Sequence, residues 1–264
     1  LTDLELRELV FNGQPLTGIK LIDSHAHIGP YKEFRMLDYT ADSILRGMDR
    51  LGVEMSCISS IPGCIGNLYQ EWNTEIIKAV KQWPGRFFGY MSVNPLFPTE
   101  AFSELKRCYD QGIRGIKVHS SLGIPYDDPS YQMIWEFAER YSLPVLAHTW
   151  GLDGIAQLTP CFTRYPSVKW ILAHGGSEDR EAYVRAAFSG RNVYVDTVLS
   201  AGPRGMIEYF MTNGLSDRLL WGTDITFMNA PHQLGKIVFA DITIEQKLKI
   251  LGVNAVKALG LKLK

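Results

Sequence analysis

Eight short apolar runs, ending near residues 25, 60, 93, 119, 148, 174, 196 and 224, recur along this chain at intervals of 22 to 35 residues. Between runs lie segments with apolar side chains at helical spacing, such as Ile44, Leu45, Met48 and Leu51 before Gly52, or Ile76, Ile77, Val80 and Trp83 before Pro84 and Gly85. Each interval has room for a strand, a loop, a helix and a second loop. Strands that alternate with helices pair in parallel, and eight such units in about 250 residues close into a (β/α)8 TIM barrel. No linker or shift of composition divides the chain, so residues 1–264 read as one domain.

The expected strands follow 21–30, then 55–61, 87–93, 115–120, 143–148, 169–174, 193–196 and 219–223. Asn73 and Thr99 read as helix caps, and Asp128 followed by Pro129 as a third. Residues 1–18, with an amphipathic stretch at 4–11, form a short N-terminal extension; extra C-terminal helices are expected near 231–240 and 243–259.

Composition narrows the partners. At 46% hydrophobic residues the chain can bury a large core, and its net charge of −1 offers no basic surface for nucleic acid and no charge run for an anionic membrane. A small-molecule substrate is the expected partner. No apolar run is long enough to span a bilayer and no signal-peptide pattern opens the sequence, which points to a cytoplasmic protein. Cys57, Cys64, Cys108 and Cys161 have no C-x-x-C spacing and are expected to be reduced, structural thiols.

Chemistry concentrates where the apolar runs end. The stretch LIDSHAHIGP places Asp23, His25 and His27 at i, i+2 and i+4, on one face of a strand. Two imidazoles so placed are spaced to grip one metal ion, since neutral ring nitrogens are good zinc ligands. His119, His148, His174 and Asp224 close later runs. In a TIM barrel the strand ends form the active face, so these residues are expected to meet there.

Together these motifs resemble the amidohydrolase superfamily, specifically its amidohydrolase-related (amidohydrolase 2) branch of metal-dependent hydrolases and decarboxylases. The match rests on D-x-H-x-H at 23–27, Asn73, PGRF at 84–87, NP at 94–95, GIKVH at 115–119, DDP at 127–129, LPVLAH at 143–148, AHGG at 173–176, WGTD at 221–224 and GVNAVKALGL at 252–261. The family often has Ser and a following Pro near the strand-eight aspartate, where this chain has Thr223 and Thr226.

The resemblance implies a metal held by His25, His27, His148 and Asp224, with zinc the expected ion; iron, manganese and cobalt satisfy the same ligand logic. It implies His174 as the residue that moves protons, with Asp224 assisting. Metal-assisted hydrolysis of an amide, lactone or similar carbonyl is the first reading. A non-oxidative decarboxylase of an unsaturated or aromatic acid is the second, and a metal-stabilised scaffold without chemistry the third.

Other residues have two readings each. Lys117 is either a carboxylated bridge between two metals, as in some superfamily members, or the partner of a carboxylate inside the barrel. His119 faces the substrate or is an ordinary loop histidine. Asp196 bonds substrate or caps the next helix, Trp150 walls the pocket, and His232 is a rim residue. Tyr31, Lys32, Arg35 and Arg204 are placed to hold an acidic substrate or are simply solvated, with Arg35 the preferred anchor. A homodimer is expected by family analogy alone.

Overall fold

A computed structural model describes residues 1–33 and 35–262, the side chain of Leu152 excepted. Eight parallel strands run in sequence order: β1 (Ile22–Ile28), β2 (Met55–Ser60), β3 (Phe87–Met91), β4 (Gly115–Val118), β5 (Pro144–Ala147), β6 (Lys169–Leu172), β7 (Val193–Asp196) and β8 (Leu219–Leu220). The ring closes through backbone bonds from Ser24 N to Trp221 O and from Asp224 N to His25 O, with a parallel bridge between Ala26 and Ile225. The expected TIM barrel is the fold observed. Seven strands end one to three residues before the expected spans and β7 ends at Asp196 as expected, because the last residues of those spans already turn into the loops of the active face.

The helices are α1 (Asp3–Phe11), α2 (Ala41–Leu51), α3 (Ile61–Ile65), α4 (Tyr69–Gln82), α5 (Pro98–Asp110), α6 (Gln132–Arg140), α7 (Leu152–Arg164), α8 (Arg180–Ser189), α9 (Met206–Thr212) and α10 (Ala230–Val238). The chain ends with α11 (Ile244–Leu248), a π turn over Lys249–Val253 and α12 (Asn254–Ala258). Two core layers result. Side chains pointing into the barrel, among them Ile22, Phe88, Tyr90, Leu146, Ile171 and Leu220, pack with Ala255, Val256 and Leu259 from the end of the chain. This C-terminal segment plugs one end of the barrel and leaves the other for the site. A larger layer of Leu, Ile, Val and aromatic side chains fills the space between strands and helices.

Asp128 caps the turn at Pro129 as expected, its side chain accepting from Ser130 N. Two other expected caps are corrected. Asn73 lies inside α4, fully buried: its Nδ2 donates to Ser92 O at 2.9 Å and Glu104 Oε1 at 2.8 Å, and its Oδ1 accepts from Ser92 N at 3.0 Å. It clamps α4 to the end of β3 and to α5. Thr99 lies within α5, which starts at Pro98; the cap position is Phe97, whose side chain has no acceptor to offer. In the N-terminal extension, a capping box between Thr2 and Glu5 starts α1, and Leu6 is its buried residue.

Candidate metal centre

The seven residues of β1 are all buried. Its ladder with β2 carries one extra residue between Asp23 and Ala26. This irregularity separates what simple alternation would keep together. His25 and His27 converge, their Nε2 atoms 3.0 Å apart. Asp23 instead forms a knot behind them, accepting from His25 N at 3.1 Å, Ser56 Oγ at 2.7 Å, Thr223 N at 2.9 Å and Thr223 Oγ1 at 2.7 Å. Burial pushes its carboxyl up to about 6. Asp23 thus ties β1 to β2 and to the chain leaving β8. Gly222 makes that closure possible, since a Cβ there would stand 2.9 Å from His25 Cβ.

Each imidazole of the pair is fixed from behind. His25 Nδ1 donates to Asp196 Oδ2 at 2.8 Å, and His27 Nδ1 meets Ser59 Oγ at 2.8 Å. With its proton committed to Asp196, neutral His25 keeps a lone pair on Nε2. Burial and the neighbouring Lys117 hold His25 well below its usual range; burial also lowers His27, against the pull of Asp224. Asp224 Oδ1 lies 3.1 Å from His27 Nε2 and 3.8 Å from His25 Nε2, buried and without a well-formed hydrogen bond. Burial raises the Asp224 carboxyl, yet His25, His27 and His174 outweigh this and hold it well below the carboxylate range.

The candidate ligand atoms of His25, His27 and Asp224 lie within 4.8 Å of one another. Two imidazole nitrogens and an orphaned carboxylate oxygen, buried and convergent, suit a divalent cation. His148 stands outside this tight group. Its Nδ1 donates to His174 Nε2 at 3.0 Å, because His174 Nδ1 is already donating to Val198 O at 3.1 Å. The same logic leaves Nε2 of His148 as its lone-pair nitrogen. His174 and Asp224 both have positive φ, 64° and 52°, a conformation costly for residues with a Cβ and common at functional sites. His174 is held in it by its N–H, which donates to Asp196 Oδ1 at 3.0 Å. Gly175 lets β7 come close, its own N–H donating to Asp196 O at 2.8 Å.

Asp196 is therefore neither a substrate contact nor a helix cap. It is fully buried and joins His25 to the backbone of His174. Sequence reasoning missed this role, and that of Ser59; the available signal was a polar residue ending a buried strand. Lys117 is also fully buried, with Nζ 3.3 Å from His25 Nε2 and no ion pair to a carboxylate among the described residues. The simple carboxylate-partner reading is corrected. Burial lowers its ammonium below the usual range.

A cavity of about 290 Å³ opens above the centre, lined by His27, His119, His148, His174, Asp224, Tyr31, Trp150, Phe227, Ile61, Ile65, Met228, Ser121 and Ser200. Trp150 and His119 thus reach the pocket, His119 stacking on His148 with ring centroids 3.8 Å apart. Arg35 and Arg204 are exposed and lie outside this lining. His232 is an exposed residue at the start of α10, as expected of a rim position. A larger hollow, about 570 Å³ between α2 and α4, contains none of these histidines. Among the described residues, no helix is long and apolar enough to cross a membrane.

A TIM barrel with histidines and an aspartate gathered at the strand ends defines a class of metal-site barrels. Within that class the pattern of the Amidohydrolase family matches residues 22–261, and the chain belongs to that family. It is 26% identical, over 287 aligned positions, to a 2-amino-3-carboxymuconate-6-semialdehyde decarboxylase of Dictyostelium discoideum, covering 87% of this chain and 80% of that protein. The fold is similar to 5-carboxyvanillate decarboxylase from Sphingomonas paucimobilis, with TM-score 0.73, 18% identity and 93% and 100% of the two chains covered. It is also similar to a manganese-bound dihydroxybenzoic acid decarboxylase from a Polaromonas species, with TM-score 0.72, 20% identity and 93% and 98% covered.

Proposed function

We propose that this protein is a metal-dependent, non-oxidative decarboxylase of a small unsaturated or aromatic acid. The observation that carries this reading is His174, set in the wall of an aromatic-sided cavity beside the His25, His27 and Asp224 group. The Dictyostelium, Sphingomonas and Polaromonas proteins are all decarboxylases, and this moves decarboxylation ahead of the hydrolysis put first by the sequence motifs.

His25, His27, Asp224 and His148 would hold the ion, zinc first and manganese next, given the manganese in the Polaromonas enzyme. Such an ion would bind and orient the substrate carboxylate and draw electron density toward it. The remaining work falls to the chain. Trp150 and Phe227 flank a planar substrate and exclude water. The bond from ring or chain carbon to the carboxylate breaks, its electron pair stays on that carbon, and carbon dioxide leaves. His174, whose Nδ1–H is held by Val198 O, takes up a solvent proton at Nε2 in place of the hydrogen bond from His148 and gives it to that carbon. Asp196 holds the His174 backbone in place during this transfer.

Hydrolysis of an amide or lactone stays as the second reading, favoured by Asp224 Oδ1, a buried carboxylate oxygen without a hydrogen bond in the cavity wall, placed to orient an attacking water by accepting from it. One assay separates the two. Protein loaded with zinc or manganese is incubated with dihydroxybenzoates, enoic acids, lactones and amides, and carbon dioxide and carboxylate products are measured. Carbon dioxide from an acid is the expected result. Hydrolysed lactone or amide with every acid recovered intact would replace decarboxylation by hydrolysis.

A further inference from the structure

The cavity's candidate ligand groups gather at the metal centre, and the rest of its polar lining is uncharged hydroxyl and imidazole. His27, His174 and Asp224 belong to the metal centre, whereas Trp150, Phe227 and Met228 supply apolar wall. No lysine or arginine is among the described residues that line it. Lys117 lies at the metal end against His25. Two acids stand beside wall residues, and exposed Lys32 lies between Tyr31 and Glu33 in the chain. Tyr31 donates to Glu33 Oε2 at 2.9 Å, and a Cβ on Gly151, next to Trp150, would stand 3.6 Å from Glu178 Oε1. Both acids are exposed.

A neutral donor is built in as well. His119 Nδ1 accepts from Ser121 N at 3.1 Å, so the neutral ring carries its proton on Nε2. That atom has no hydrogen-bond partner within the described protein, and stacking on His148 fixes the ring. His119 follows Lys117 by two residues on the same side of its strand, one pleat further from the barrel interior.

Resting on the decarboxylase reading above, we infer that this pocket selects an acid with a single carboxylate, held at the metal end, and with an uncharged acceptor group that receives the Nε2–H of His119. A second carboxylate is turned away. It would lose its water against aromatic and aliphatic walls, with no lysine or arginine among the described lining residues to meet it and with Glu33 and Glu178 beside Tyr31 and Gly151.

The test is calorimetric binding to metal-loaded protein dialysed free of excess ion, with 2,6-dihydroxybenzoate and 2-hydroxyisophthalate as the one-carboxylate and two-carboxylate probes. The first is expected to bind at least about thirtyfold more tightly. Ser200→Arg and, separately, Ser121→Arg each bring a guanidinium to the lining, and at least one should narrow that ratio about tenfold. His119→Phe keeps a ring on His148 and should cost about tenfold for 2,6-dihydroxybenzoate and nothing for benzoate. Equal or tighter binding of the dicarboxylate, or arginine variants that leave the ratio unchanged, overturns the charge selection and leaves the decarboxylase reading standing. An unchanged affinity in His119→Phe overturns the role of its donor. If neither acid binds the loaded protein, the acid-substrate reading fails and the selection with it.

Discussion

Asp196 Oδ2 lies 2.8 Å from Nδ1 of His25, and both side chains are fully buried. The second oxygen of the same carboxylate accepts the backbone N–H of His174. One aspartate at the end of β7 therefore sets the tautomer of a candidate ligand and the position of the candidate proton donor. Asp196→Asn keeps the shape and loses the charge. Metal affinity should fall roughly 10- to 100-fold while the barrel stays folded. Competition against a chelator, with a thermal melt as the control, measures it; unchanged affinity would remove Asp196 from the site.

The histidines should separate into two groups. His25→Ala, His148→Ala and Asp224→Ala are expected to lose metal and activity together. His174→Ala should retain the ion and lose roughly two to four orders of magnitude in turnover, the usual contribution of a positioned proton donor. Metal content by mass spectrometry, beside the rate on the same sample, reads both quantities. Loss of the ion in His174→Ala would make His174 a ligand rather than a proton donor.

The barrel was legible because a strand buried on both faces needs an uninterrupted apolar run, and eight such runs at regular intervals admit few other folds. His25 and His27 were legible for the same reason, as polar residues at the end of a buried strand. Asp23 was not, because the extra residue in β1 breaks the alternation that would align it with them. Asp196 and Ser59 act through contacts between strands far apart in sequence, which spacing along the chain does not encode. Asn73 misled for a related reason. Asparagine before an apolar helical stripe reads as a cap, while its partners Ser92 and Glu104 come from elements further on.

That buried clamp has a measurable weight. Asn73→Ala removes three hydrogen bonds and takes this partner from the Ser92 N–H and C=O, buried away from water, while Glu104 keeps its ion pair with Arg107. A cost of about 2–4 kcal/mol is expected, since each orphaned buried group costs about 1–3 kcal/mol and partial relaxation recovers some of it. Urea unfolding should show a lower midpoint at unchanged slope. A midpoint within error of the parent would mean that water replaces the side chain.

The four cysteines are buried and free, and burial pushes Cys64 up to about 12. Thiolate is the reactive form, so native protein at pH 8 should resist alkylation by iodoacetamide and take up four labels once unfolded. Intact mass resolves the two states. Rapid labelling of Cys64 under native conditions would show that α3, beside the site, opens readily.

Lys117 decides how many ions the centre holds. Its amine is buried 3.3 Å from His25 Nε2 and has no carboxylate partner among the described residues, so two roles compete. As a carboxylated bridge it would join two metals; as a plain amine it would fill the space beneath one. One ion per chain is the expected content, unchanged in Lys117→Met, which preserves much of the volume and removes the nitrogen. Two ions falling to one in the variant would establish the bridge and shift the chemistry toward two-metal hydrolysis, because paired ions about 3.5–4 Å apart stabilise both the attacking and the leaving oxygen. Carboxylation adds the mass of carbon dioxide and reverses on acidification, so native and acid-denatured masses of the same sample distinguish a bridge lost by mutation from a centre merely deformed by it.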